Sequence, residues 1–160
     1  MMLRTMTRAG LACLLLAGCL SAGPAAAAAA FGPRLGYTHH EGLDLWHFGG
    51  HARLGELFPN VEITPGVELG FGSHTKIYTA NGDVTYRATE LVGAPWGLHV
   101  GGSLSLNHFD WQHGSDTHLG LSALVGVSRE LGQASEVFGE VRIGILDSPH
   151  LKITFGTTFF

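Results

Sequence analysis

Apolar residues recur at every second position along most of this chain. Trp46, Phe48, Gly50, Ala52 and Leu54 alternate with His47, Gly49, His51, Arg53 and Gly55. Val61, Ile63, Pro65, Val67, Leu69 and Phe71 alternate with Glu62, Thr64, Gly66, Glu68, Gly70 and Gly72. The same rhythm runs through 96–107, 118–128, 137–145 and 151–159, broken at Leu124 and Phe138. A period of two is that of a strand, whose side chains point alternately to opposite faces. No segment carries a helical period.

Turn signals separate the runs: Phe58 to Asn60, Gly93 to Pro95, His113 to Asp116, Leu131 to Ser135 and Asp147 to Pro149. A short first strand is expected around Arg34 to His39, with Leu35 and Tyr37 on one face. The stretch TKIYTANGDVTYRAT admits two readings. Asn81-Gly82 is a strong hairpin signal, but a hairpin would leave two strands too short to cross a bilayer, which takes ~9–11 residues. As one strand it alternates throughout, with only Ile77 out of place. The single strand is preferred, and the count becomes eight. An even count puts both chain ends on the same side, as in single-chain bacterial barrels.

One face is Leu, Val, Ile, Phe, Trp and Tyr. The other is rich in Gly, Ser, Thr, His, Glu and Arg. In a water-soluble barrel the apolar face is inside, and in a membrane barrel it is outside. The glycines Gly49, Gly55, Gly66, Gly70, Gly72 and Gly101 share the polar face, where they would weaken a solvated strand but make room inside a narrow barrel. The polar face also balances Glu62, Glu68, Asp83 and Glu140 against Arg53, Arg87, Arg142 and Lys152, a mixed set suited to pairing in a lumen. Tyr37, Trp46, Tyr78, Tyr86 and Trp96 sit on the apolar face, where an interfacial girdle would place them. The expected fold is all-β, an eight-stranded antiparallel up-and-down transmembrane β-barrel.

Composition refines this picture. Met1 to Arg8 is basic, Ala9 to Gly23 is apolar and small, and an alanine run ends at Ala30. These are the parts of a secretory signal peptide, so 1–30 is read as a cleaved leader and 31–160 as the barrel. LAGC, ending at Cys19, is an alternative lipidation signal. Both cysteines, Cys13 and Cys19, lie in the leader, and no disulfide is expected in the barrel. Without Arg4 and Arg8, the nine basic residues fall to seven against thirteen acidic ones, a net charge of −6 with histidine neutral. That balance argues against nucleic-acid binding.

The segments HFGGHARLGELFPNVEITPGVELGFG, VTYRA, WGLHVGGSLSLNHFD and SDTHLGLSALVGV, with the aromatic terminus, resemble small bacterial outer-membrane β-barrels of the OmpX/OmpW-like, opacity-porin-like family. The resemblance covers about Leu43 to Phe160 and is specific for architecture, not activity. It implies a bacterial outer-membrane location and a non-enzymatic, envelope-structural or surface-interaction role. It implies outer-membrane lipid as surroundings and a monomeric state. It also implies that Phe155, Phe159 and Phe160 form the signal read by the barrel assembly machinery. Phe159 is expected to face lipid, leaving Phe160 past the strand end.

Other readings stay open: a narrow pore, a lipid A-modifying enzyme drawing on His99, Ser103 and Glu68, or a soluble or lipid-anchored lipocalin-like barrel. Ten histidines are many for 160 residues. His108, His113 and His118 with Asp110 and Asp116 surround an expected external loop, 107–117, and carry ligand types suited to zinc, copper or nickel. Their spacing fits no closed-site template, so the loop is read as solvated and polar, with no cofactor expected.

Overall fold

The computed structural model describes residues 30–112 and 114–160. All but the last residue of the predicted leader, Cys13 and Cys19 included, lies outside the described residues; Ala30, its last residue, opens the first strand. Nine strands form one antiparallel sheet: β1 (Ala30–His40), β2 (Leu43–Arg53), the short β3 (Glu56–Phe58), β4 (Val61–Phe71), β5 (Thr75–Arg87), β6 (Trp96–Trp111), β7 (Gly114–Glu130), β8 (Ser135–Leu146) and β9 (Leu151–Phe159). Each long strand pairs with its sequence neighbours, and β2 pairs directly with β4. β9 pairs with β1, setting Tyr37 opposite Ile153 and Phe31 opposite Phe159. The eight long strands therefore close into a barrel, which leaves no open edge among them. β3 is a short flap on β4 with an irregular register.

The β1–β2 hairpin turns on Glu41 and Gly42, both at positive φ (49° and 80°), the backbone that matches strand twist in a two-residue turn. This turn, Asp147 and the β4–β5 and β6–β7 turns define the hairpin end of the barrel. The opposite end holds both termini and the connections 54–60, 88–95 and 131–134. A single 3-10 turn, Thr89–Leu91, lies in the second of these, a small departure from the expectation of no helix.

Burial alternates as strongly as the sequence. In β7, Ser122, Leu124, Gly126 and Ser128 are buried while Leu121, Val125 and Val127 are exposed. Trp46, Ile145 and Phe31 are about two-thirds exposed, whereas Arg34, Asp83 and Arg142 are nearly inaccessible. The apolar side is thus outside and the charged side inside, the inverse of a soluble fold.

Four sequence expectations change. The first strand is longer than Arg34 to His39 and begins at Ala30. The expected loop 107–117 is mostly ladder: β6 and β7 stay paired out to Trp111 and Gly114, because Asn107 and Phe109 continue the inward row. The residues that broke the alternation, Ile77, Leu124 and Phe138, are buried in the lumen, so the interior is not purely polar. Gly55 has φ 95° and follows the end of β2; it serves a turn and makes no room in the lumen. Asn81-Gly82 lies mid-strand in β5, as the single-strand reading expected.

Candidate functional site

The barrel interior holds the chain's densest chemistry, and strand parity places it there. Residues two apart on one strand stack along the lumen wall, and their partners come from neighbouring strands. Asp83 on β5 receives two contacts from Arg142 on β8, Nη1 to Oδ1 at 2.9 Å and Nη2 to Oδ2 at 2.7 Å. This two-pronged geometry is the strong form of a guanidinium–carboxylate pair. Ser103 Oγ donates to Asp83 Oδ1 at 2.6 Å. Arg142 Nη2 also reaches Glu140 Oε2 at 2.8 Å, and His99 Nε2 lies 3.2 Å from Glu140 Oε1.

Glu68 on β4 sits between two cations. Arg34 Nε lies 2.7 Å from Glu68 Oε1, an ion-pair contact off the N–H axis, and Lys152 Nζ bonds the other oxygen. Arg34 also donates to Asn81 Oδ1, and Asn81 Nδ2 donates to Asp83 Oδ1 at 2.8 Å. Asn81 is therefore held inside a strand by lumenal partners, against its local preference for a turn. Gly66 makes the space: a Cβ there would lie 2.0 Å from Arg34 Nη2.

A second cluster lies nearer the termini. Arg53 contacts Glu62 Oε2 at 3.2 Å and Glu136 Oε1 at 2.7 Å, and Arg87 contacts Glu62 Oε1 at 3.4 Å and Glu136 Oε2 at 2.9 Å. Two guanidiniums thus clamp two carboxylates in a closed quartet.

All eight charged residues expected in the lumen, Arg53, Glu62, Glu68, Asp83, Arg87, Glu140, Arg142 and Lys152, stand in one of these clusters. Two further members, Arg34 and Glu136, escaped the sequence reading. Both lie on the inward parity of their strands, two residues from Gly36 and Phe138, and that signal could have found them. Five cations then face five carboxylates, which leaves the lumen near neutrality.

At the hairpin end the lumen is closed differently. Leu45, Ile77 and Phe109 form a buried apolar cluster. His40 stacks on Phe109 with ring centres 5.0 Å apart, and His150 lies 5.5 Å from His40. Deeper histidines are hydrogen-bonded filler: His47 to Thr38 and Thr154, and His51 to Thr158.

The histidines and acids of the expected loop do not converge. His108 Nδ1 bonds Thr117 Oγ1 at 2.8 Å, His118 lies 3.4 Å from Asp116, and Asp110 is exposed. His113 lies outside the described residues. Among the described residues no group of three or more His, Cys, Asp or Glu is placed to hold a metal ion. The trio of the enzyme reading is also dispersed: His99 faces Glu140, Ser103 donates to Asp83, and Glu68 holds Arg34 and Lys152.

At the C-terminus Phe159 is the last strand residue and half exposed. Phe160 lies past it, its N–H bonded to the Ala134 carbonyl at 3.1 Å and its ring 5.6 Å from the Arg53 guanidinium.

No family model matches the chain, and no curated protein matches it either. Solved structures do. Neisserial surface protein A superposes with a TM-score of 0.65 at 13% identity, covering 82% of this chain and 94% of that one. The N-terminal β-barrel domain of Pseudomonas aeruginosa OprF gives 0.58 at 13% identity, covering 81% and 96%. A de novo designed transmembrane β-barrel gives 0.55 at 13% identity, covering 82% and 93%. The fold is that of the small eight-stranded outer-membrane barrels. At this identity the likeness concerns architecture, and the lumenal clusters described above belong to this chain.

Proposed function

We propose that the protein is a non-enzymatic outer-membrane barrel, closed to solutes, with an envelope-structural or surface-interaction role. The observation that carries this reading is the filled lumen. Two voids in its middle measure about 30 and 10 Å³, room for about one water molecule each, and the wider space of about 460 Å³ beside His40, Ser148 and His150 lies only at the hairpin mouth. An eight-stranded barrel is only just wide enough for its side chains, and here paired charges and rings occupy it.

In this reading the leader directs export, both termini lie in the periplasm, and the hairpin end faces outward. β6 and β7 contain 16 and 17 residues, more than the ~9–11 needed to cross a bilayer. Their shared hairpin then stands clear of the membrane and presents Asp110, Asp116 and His108 to the outside. That projecting edge supports the surface role. Phe155, Phe159 and Phe160 retain their proposed part in assembly.

The test is electrical. Refolded protein in a planar bilayer is expected to give no steady conductance steps, and a stable open level overturns the closed reading. Heat-modifiable migration and co-fractionation with outer membrane test the location separately.

A further inference from the structure

Seven lysines and arginines follow residue 30. Arg34, Arg53, Arg87, Arg142 and Lys152 are engaged inside the lumen. Lys76 and Arg129 are the two on the outside. Lys76 lies at the hairpin end, opposite Asp110. Arg129 lies at the terminus end of β7, beside the 131–134 turn that holds Phe160. It makes no ion pair among the described residues, and its guanidinium lies over the Trp96 ring, 5.2 Å from the centre. Such stacking leaves guanidinium edges free to bond a phosphate.

Arg129 borders a groove of about 580 Å³ on the apolar outer face. The strand register explains the groove. Arg129 is paired with Trp96 on one side and Val137 on the other, and Val137 with Thr157. One step further into the membrane, Val127 is paired with Gly139, Gly139 with Phe155, and Phe155 with Leu35. Large side chains therefore stand at the margins, Trp96 on one wall and Phe155 with Leu35 on the other. Smaller ones, Thr157 and Val137, make the floor, and the Phe155 ring leans over Gly139. A second outer depression, over Gly50, Ala52, Pro65 and Ala80, has no charged residue in its lining.

We infer that this groove is a binding site for one anionic phospholipid, its acyl chain laid along Val137 and Thr157 and its phosphate held by Arg129. The inference rests on the outer-membrane reading. On that reading Arg129 and Trp96, at the terminus ends of β7 and β6, fall at the headgroup level of one leaflet, and the groove runs from there toward the membrane interior. A cation near a bilayer surface attracts an anionic headgroup, and an apolar channel beside it fixes where the chain lies.

Trp96 is the built-in reporter. Trp46 and Trp111 lie toward the hairpin end, so Trp46→Phe with Trp111→Phe leaves Trp96 as the sole indole. The full-length barrel carrying both changes is reconstituted into phosphatidylcholine vesicles. Equal fractions of acyl-brominated phosphatidylglycerol or acyl-brominated phosphatidylcholine are then added as quenchers. Phosphatidylglycerol is expected to be favoured at Trp96 by about fivefold. Arg129→Gln should bring that ratio close to one, while Arg129→Lys should keep most of it. Heat-modifiable migration confirms that each variant is folded.

Equal quenching of the parent by both lipids overturns the lipid site while leaving the membrane placement intact. A preference that survives Arg129→Gln also overturns it. Absence of quenching by either lipid, with no cross-link to a second copy through Thr157→Cys, sinks the membrane reading itself. Absence of quenching together with that cross-link makes the groove a protein interface, and the lipid proposal falls.

Discussion

The two ends of the lumen are shut by opposite chemistries. At the hairpin end Leu45, Ile77 and Phe109 pack against one another, with His40 stacked on the phenyl ring. At the terminus end Arg53, Arg87, Glu62 and Glu136 close a quartet, with the arginine side chains 14% and 18% exposed. Apolar closure resists through displaced water and contact, and salt leaves it largely unaffected. The ionic closure resists only while both signs are present and is partly screened where water reaches it. The difference teaches that a barrel this narrow needs no uniform filling. Packed rings close one end here and paired charges close the other.

The largest expected effect comes from emptying the apolar end. Phe109→Ala removes the ring that holds Leu45, Ile77 and His40 together, and should cost about 4 kcal/mol. Urea unfolding in detergent measures it, and a loss below that of the ionic end would reverse the comparison.

Next comes Glu136→Gln, which leaves Arg53 and Arg87 sharing Glu62 alone. Its expected cost is about 2 kcal/mol, since hydrogen bonds to a charged group are lost. Repeating both measurements in concentrated salt sharpens the contrast. The Glu136→Gln deficit should shrink, because the parent's quartet weakens, while the Phe109→Ala deficit should not.

The smallest effect concerns acid. His40 is the last residue of β1, at the rim beside the Glu41–Gly42 turn; its ring lies 5.5 Å from that of His150, and the charges of Glu41, His150, His118 and His39 act on it. Burial holds its imidazole below the ordinary histidine range. A base with a lowered folded pKa binds fewer protons than the unfolded chain does, so stability should fall as pH drops through about 6.5. His40→Gln should flatten that part of the profile, read from melting temperature against pH. An unchanged slope assigns the effect elsewhere.

Much of this architecture was legible in the alternation. The period of two located every long strand, and the inverted polarity set the membrane side outward. Where the reading erred, a local signal met a global constraint. Asn107 to Thr117 resembled an external loop, yet the β6–β7 ladder continues out to Trp111 and Gly114 because pairing persists wherever inward residues can pack. Ile77, Leu124 and Phe138 looked like faults only under the assumption that a membrane barrel is polar inside. Arg34 and Glu136 carried the right parity but stood outside the stretches where the rhythm was strongest. The groove beside Arg129 could not be read from any one strand. It exists because Val137 on β8 pairs with Thr157 on β9 between larger side chains, and register is a property of the closed sheet.

That closure carries a kinetic consequence. Phe31 meets Phe159, so the first and last strands pair across nearly the whole described chain. Contacts this far apart in sequence form late, because chain entropy must be lost before they contribute. Until β9 arrives, the outer edge of β1 presents bare amide and carbonyl groups that hydrocarbon cannot satisfy. Insertion and closure should therefore proceed together, and a chain stopped before β9 should remain outside the bilayer with seven well-formed but unseated strands' worth of sequence.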